Sequence, residues 1–141
     1  MISITRRLEF DAGHRVMNHE SKCATLHGHR YVVEVFAVSP ELDQIGRVID
    51  FSVLKARLGT WLDEQWDHNM IVFEKDEEVL KALSVLPRKK DPWIAPFNPT
   101  AENMAEYLLK EICPPLFADT QIKIVKVRVH ETPNCYAEAS L

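Results

Sequence analysis

The sequence has few cysteines and no long hydrophobic run. Its three cysteines, Cys23, Cys113 and Cys135, are an odd number and too sparse for a framework of disulfides. We therefore expect a reducing compartment, the cytoplasm, where Cys23 stays available as a thiolate. No apolar stretch approaches the roughly 20 residues that span a bilayer, and residues 1–7 lack the apolar core of a secretion signal.

The chain also lacks an excess of positive charge. Its formal net charge of -4 disfavours a nucleic-acid-binding surface, which is usually strongly basic. The hydrophobic fraction of 46% and the charged fraction of 27% are ordinary for a globular protein. Linkers, repeats and low-complexity segments are missing as well, so we expect one domain over residues 1–141.

The spacing of apolar residues predicts an α+β chain in which strand pairs flank helices, with the strands of each pair antiparallel. Alternating or β-branched stretches predict strands over residues 2–10, 31–38, 121–131 and 135–139, with a bulge near Ile124. Helical spacing predicts helices over 50–62, 76–86 and 98–113. Asp50 is the expected N-cap of the first helix, and Asn98-Pro99 is expected to open the last, which stops at the prolines after Cys113. The proline-rich residues 87–96 are expected to be a loop.

A pattern of histidines predicts a metal site. His27-Gly28-His29 places two imidazoles on the same face of an extended backbone. His14 ends the first predicted strand and lies on the same face as the apolar residues of that strand. A hairpin of strands one and two would therefore bring three imidazoles together. Three neutral imidazoles suit zinc and leave a fourth position open, which is typical of catalytic sites. Histidines also pack in cores or lie on surfaces, and the pair His27 and His29 alone is weak support.

Cys23, four residues before His27, is a candidate base. A free cysteine is more often an inert buried residue, but a nearby cation would lower the thiol pKa and make it usable.

Several blocks of the sequence resemble the 6-pyruvoyltetrahydropterin synthase and 6-carboxytetrahydropterin synthase family. The blocks occur in the order of the family and cover nearly the whole chain: FDAGHR (10–15), KCATLHGH (22–29), VIDF (48–51), WDH (66–68), NPTAEN (98–103) and VHET (129–132).

The resemblance implies roles for individual residues. It implies zinc ligands at His14, His27 and His29, and catalytic residues at Cys23, Asp67 and His68. It also implies a pterin-anchoring carboxylate at Glu131, with Glu102 a weaker candidate for substrate binding. A carboxylate such as Glu131 can accept two parallel hydrogen bonds from the 2-amino group and N3–H of a pterin.

The resemblance further implies the tunnelling fold (T-fold), in which antiparallel ββααββ subunits close a β-barrel as trimers, and two trimers stack into a hexamer. The active site would then lie between subunits, and Cys23 and the Asp67–His68 pair need not come from one chain. From the sequence alone, two strand pairs would leave open edges that a closed barrel satisfies.

Two enzymes of the family share zinc and the substrate 7,8-dihydroneopterin triphosphate. The separation of Cys23 and His27 by three residues resembles the short bacterial form, which yields 6-carboxytetrahydropterin, acetaldehyde and triphosphate in queuosine biosynthesis. We therefore expect this carbon–carbon and carbon–oxygen lyase. The alternatives are the pyruvoyl enzyme of tetrahydrobiopterin synthesis, a non-catalytic zinc- and pterin-binding protein and a generic three-histidine zinc hydratase. The segment between His68 and Asn98 is longer than in compact members, which leaves loop contacts and substrate choice open.

Ordinary structural roles are alternatives for four of these features. Asp67-His68 could cap helix carbonyls, Glu131 could be an edge charge, and Glu102 could favour a helix dipole. The basic run 88–90 is expected to be a solvated loop. Contact with a triphosphate there, or from Lys22 and Arg15, is an open alternative.

Overall fold

In the computed structural model, which describes residues 1–88 and 90–141, six strands form one curled sheet in the described part. In chain order they are β1 Ser3–His14, β2 His27–Val38, β3 Asn69–Phe73, β4 Trp93–Ala95, β5 Lys123–Thr132 and β6 Cys135–Ser140. Their order across the sheet is β4-β3-β1-β2-β5-β6. The strand pairs β1–β2 and β5–β6 are antiparallel, as predicted, and β2 joins them by pairing antiparallel with β5.

The bulge predicted near Ile124 is confirmed. Phe36 lies opposite Lys126 while Ala37 lies opposite Ile124, so Val125 is the extra residue in β5. The extra residue shifts the alternation, and both Ile124 and Val127 are buried.

Strands β3 and β4 were not predicted, and the expectation of a loop throughout residues 87–96 was wrong. β4 occupies three residues between Pro92 and Pro96 and pairs parallel with β3. β3 in turn pairs parallel with β1, only at Ala12 and Gly13. Such short strands gain their stability from tertiary pairing, and period-two alternation over three to five residues is too brief to detect.

In the residues that the structure describes, three helices lie between the strands. Helix α1 consists of Phe51–Leu54, a π-helical turn at Lys55–Gly59, and Thr60–Gln65. Helix α2 is Glu77–Ser84. Helix α3 consists of Ala101–Tyr107, a π-helical turn at Leu108–Ile112, and Cys113–Leu116. Asp50 caps α1 as predicted, because its side chain accepts a hydrogen bond from the Ser52 amide at 2.8 Å. No helix in the described residues is long and apolar enough to cross a membrane.

Both predicted ends of α3 were wrong. The N-cap is Thr100, whose hydroxyl accepts from the Asn103 amide at 3.2 Å, rather than Asn98. The helix continues past Cys113 to Leu116, with Pro114 and Pro115 in its last segment. The π-helical turn Leu108–Ile112 directly precedes this segment, so the regular i→i−4 bonding that a proline removes is already interrupted there.

The core lies between one face of the sheet and the helices α1 and α3. Phe10 of β1 stacks on Tyr31 of β2, with ring centroids 5.1 Å apart. Further members of the buried cluster include Leu8, Val33, Val35, Leu54, Leu58, Leu62, Met104, Leu108, Val127 and Val129. His14 ends β1 on this same face, so the apolar core runs directly into the predicted metal site.

Candidate functional site

The three predicted ligands His14, His27 and His29 converge at one end of the β1–β2 hairpin and are called the three-histidine cluster below. His14 and His27 are direct cross-strand partners, and His29 lies two residues further along β2 on the same face. The ring centroids are 4.7 to 5.2 Å apart. One ligand nitrogen from each ring lies within 4.8 Å of the other two, which is close enough to share one ion.

Hydrogen bonds fix the orientation of two of the rings. Nδ1 of His14 lies 2.7 Å from the Pro99 carbonyl and Nδ1 of His27 lies 2.6 Å from the Thr25 carbonyl. A carbonyl only accepts, so both Nδ1 atoms carry a proton, and Nε2 is the nitrogen that has the lone pair when the ring is neutral. The Nε2 atoms of His14 and His29 are buried without a hydrogen-bond partner in the described residues. In metal-binding histidines, the ring nitrogen that does not bind the metal usually donates to a carbonyl or a carboxylate, as Nδ1 does in His14 and His27.

The protonation states also suit a metal. Burial, with a smaller contribution from the adjacent rings of the cluster, lowers the pKa of His14 to about 4, although the bond to Pro99 opposes this shift. Burial likewise lowers the pKa of His29, against the opposing charge of Glu131. Both rings are therefore neutral at pH 7, as ligands must be.

Cys23 lies on a one-turn 3₁₀ helix, Lys22–Ala24, in the loop that joins β1 to β2. Its carbonyl accepts from the Val16 amide at 2.8 Å, which holds the turn beside the end of β1. The side chain is half-buried. Cys23 is not part of the three-histidine cluster as the described residues define it. By contrast, burial raises the pKa of the Cys113 thiol to about 12, so Cys113 is not a candidate base.

Two contacts anchor the loop that carries Cys23. Arg15 forms a two-pronged ion pair with the buried Asp76, the N-cap of α2, at 2.6 and 2.5 Å. Asn98 bonds both the amide and the carbonyl of Met17, at 3.0 and 2.9 Å. From the sequence, Asn98 was predicted to cap a helix, and Arg15 was a possible contact for a triphosphate. The roles of both residues in anchoring this loop were not predicted.

The side chains of Asp67 and His68 contact each other, whereas it is the backbone amide of Asp67 that caps a helix carbonyl, that of Leu62, at 2.8 Å. Asp67 accepts from the Asp11 amide at 2.9 Å with one oxygen, and its other oxygen lies 2.8 Å from Nδ1 of His68. Burial acts to raise the pKa of Asp67, but these two hydrogen bonds and nearby charges outweigh it and hold the pKa below its usual value. His68 has a left-handed backbone with φ of 53°.

The Asp67–His68 pair and the three-histidine cluster lie on opposite faces of the sheet. Asp11 is followed in β1 by Ala12, and successive side chains of a strand alternate faces, so Asp11 points away from the core that holds His14. The Asp11 and Asp67 carboxylates and the His68 imidazole form one group, in which one ligand atom of each residue lies within 4.8 Å of the other two. In the described residues His68 is not part of the three-histidine cluster of its own chain, although His27, His29 and His68 all line one cavity of about 800 Å³.

Glu131 lies at the three-histidine cluster, with Oε2 3.6 Å from Nε2 of His29. It belongs to β5, which lies between β2 and β6, and it is the extra residue of a bulge between His130 and Thr132 in the pairing with β6. Glu131 and Glu102 line the same cavity of about 390 Å³, together with Tyr136. Glu102 also occupies the first turn of α3, where an acid suits the helix dipole, so its two predicted roles are compatible.

Tyr31 is a polar group of this region that the sequence did not indicate. Its ring contacts those of His14 and His29, with centroids 5.8 and 5.4 Å away, and its buried hydroxyl has no partner in the part of the chain described. Burial, and secondarily Glu131, raises the pKa of this hydroxyl, so it stays protonated. The spacing in the sequence could have indicated this, since Tyr31 follows His27 and His29 at two-residue steps and so lies on the same face of the strand.

Comparisons with known proteins agree with this geometry. The family model described as 6-pyruvoyl tetrahydropterin synthase matches residues 3–140. A protein of Rickettsia conorii named 6-carboxy-5,6,7,8-tetrahydropterin synthase is 42% identical over 138 residues, covering 98% of this chain and 99% of its own.

Solved structures show the same fold. An uncharacterized protein from Wolinella succinogenes superposes with a TM-score of 0.83 at 25% identity, over 99% of this chain and 97% of its own. The 6-pyruvoyl tetrahydropterin synthase of Caenorhabditis elegans superposes with a TM-score of 0.66 at 25% identity, over 99% and 95%. The predicted α+β tunnelling fold is therefore confirmed for the single chain.

Proposed function

Since the chain belongs to the 6-pyruvoyl tetrahydropterin synthase family, we propose that it is a zinc-dependent 6-carboxy-5,6,7,8-tetrahydropterin synthase. This cytoplasmic lyase of queuosine biosynthesis converts 7,8-dihydroneopterin triphosphate into 6-carboxytetrahydropterin, acetaldehyde and triphosphate. The carboxy product, rather than the pyruvoyl product, is supported by the name of the Rickettsia relative and by the three residues between Cys23 and His27.

The observation that carries the proposal is the convergence of three imidazoles beside a carboxylate. Two buried Nε2 atoms without a partner would be unfavourable in an apolar site, and a metal ion would satisfy them. His14, His27 and His29 are therefore the proposed ligands, with Nε2 of His14 and His29 among the coordinating atoms. When bound, zinc supplies a fourth coordination position for a side-chain hydroxyl of the substrate and lowers the pKa of that hydroxyl.

The remaining residues position the pterin and move protons. Glu131 accepts hydrogen bonds from the 2-amino group and N3–H of the pterin, and its place beside His29 sets the ring within reach of the cluster. Glu102 lines the same cavity and contributes less, because its side chain is exposed. Cys23, as a thiolate, takes a proton from the substrate side chain, and His68 donates or accepts on the opposite side. Asp67 fixes the ring of His68 through Nδ1.

The proposed site is completed by a second copy of the chain. His68 is not part of the three-histidine cluster of its own chain and lies beside Asp11, whose side chain is on the opposite face of β1 from His14. A neighbouring subunit is therefore the proposed source of the His68 that serves each cluster. At one end of the sheet, β4 offers an outer edge of only three residues. Two longer edges are available for assembly in the residues that the structure describes: the outer edge of β6, and the outer edge of β1 before Ala12. Pairing of these edges would close a barrel, and we propose a homo-oligomer, a trimer or hexamer.

Product analysis tests the proposal. Zinc-loaded protein is incubated with 7,8-dihydroneopterin triphosphate, and the products are identified by chromatography and mass spectrometry, with chelator-treated protein as the control. Acetaldehyde with 6-carboxytetrahydropterin is the expected result. The pyruvoyl product would support the other activity of the family, and tight pterin binding without turnover would contradict both.

A further inference from the structure

Lys90, in the segment between α2 and β4, contacts the end of the helix that carries the Asp67–His68 pair. Its Nζ donates to the carbonyl of Asp63 and to the carbonyl of Asp67, each at 2.8 Å. The side chain is half-buried, so the expectation of a solvated basic run is wrong for Lys90; Lys89 lies outside the described residues.

The end of α1 needs such a donor. The last carbonyls of a helix have no partner within it, and here the Leu62 carbonyl accepts from both the Trp66 and Asp67 amides, at 2.9 and 2.8 Å. The next carbonyl along the helix, that of Asp63, accepts from the ammonium of Lys90. A cation in this position also interacts favourably with the negative end of the helix dipole.

The orientation of His68 depends on the backbone that Lys90 holds. The His68 side chain is 76% exposed, so packing does not fix it. Its left-handed backbone, with φ of 53°, is held by the bond from its amide to the Asp11 carbonyl at 2.6 Å. The peptide unit between Asp67 and His68 thus carries two restraints, the Asp11 carbonyl on its N–H and Lys90 on its C=O.

We propose that Lys90 is a positioning residue for His68, an inference that rests on the proposed function. The ammonium fixes the carbonyl of Asp67 while the Asp11 amide fixes its carboxylate, so the Oδ2 atom that meets Nδ1 of His68 keeps one direction. Lys90 and His68 line the same cavity of about 800 Å³, so the restraint acts where the imidazole is presented. Lys90 belongs to the longer segment between His68 and Asn98, to which this structure assigns a role in the site.

Substitution with methionine tests this role, because methionine keeps the length and apolar stem of lysine but removes its donors. For Lys90→Met we expect kcat to fall about tenfold to a hundredfold while KM changes less than about twofold, since a misplaced catalytic group affects the chemical step. Lys90→Arg, which can still donate to two carbonyls, should recover most of kcat. Lys81→Met is the matched control, because Lys81 has an exposed side chain on α2. A folded Lys90→Met protein with unchanged kcat would overturn the inference.

Nuclear magnetic resonance of the histidine side chains provides a readout that does not need turnover. The His68 ring signals, assigned by comparison with His68→Asn, should shift or broaden in Lys90→Met and stay unchanged in Lys81→Met. Identical His68 signals in wild type and Lys90→Met would overturn the positioning role even if the protein is active. If the wild type shows no turnover, the proposed function fails, and the ring signals alone decide on Lys90.

Discussion

The three-histidine cluster and the Asp67–His68 pair are built in different ways. The cluster is formed at the end of two strands paired along their whole length, and His14 is only 1% exposed. His68 is 76% exposed, follows a helix end and is held by hydrogen bonds rather than by packing. The cluster is preorganised within one chain, whereas the pair is presented outward on the other face. This difference is what a site shared between subunits requires.

Removing a ligand should have the largest effect. We expect His27→Ala to lose bound zinc and at least about a thousandfold in kcat/KM, because two imidazoles hold zinc poorly and the remaining site lacks its metal. Metal content is measured by elemental analysis after dialysis. His19→Ala, in the loop after β1, is the control and should keep its zinc. Full zinc occupancy in His27→Ala would contradict the ligand assignment.

Changing Glu131, the carboxylate beside the three-histidine cluster, should have an intermediate effect. Glu131→Gln loses one acceptor for two pterin donors, and hydrogen bonds to a charged group contribute about 1.5–3 kcal/mol, so KM should rise about tenfold to a hundredfold. Glu102→Gln, in the same cavity, should raise KM less than about threefold, because its side chain is exposed. Equal effects of the two substitutions would mean that Glu131 is not the main anchor.

The smallest effect is expected for the anchor of the loop that carries Cys23. Asp76 is 3% exposed at its side chain, and the hydrogen bond from Arg15, against a smaller effect of burial, lowers its pKa. Asp76→Asn should lower the free energy of unfolding by about 2 kcal/mol at pH 7.

The pH dependence of this difference has a definite sign. A carboxyl whose pKa is lowered by folding stabilises the protein above its unfolded pKa of about 3.9, and that contribution is lost as the pH falls through the folded value. The difference between wild type and Asp76→Asn should therefore be constant near neutral pH and shrink below about pH 4. Denaturant titrations measure it, with Glu77→Gln as the control, because Glu77 is an exposed carboxylate in the same first turn of α2. A difference that grows on acidification would contradict the ion pair.

The sequence predicted the cluster well because its determinants are local. Parity placed His14, His27 and His29 on one face, and a hairpin was enough to bring them together. The contacts of Asn98 and Lys90 were not predictable in this way, because they join residues 81 and 23 positions apart through the tertiary fold. Cys23 lies on a loop, and nothing in its spacing fixed how the chain anchors it.

The two regions are proposed to meet across subunits, and mixed oligomers test this most directly. Cys23→Ala and His68→Asn are each expected to be inactive while keeping zinc; asparagine is chosen because it tolerates the left-handed backbone of position 68. The two variants are coexpressed with different affinity tags, and oligomers that contain both are purified. We predict that these mixed oligomers recover a measurable fraction of wild-type activity, since some sites then combine an intact Cys23 with an intact His68 from a neighbour. Mixed, zinc-loaded oligomers without recovered activity would contradict a shared site.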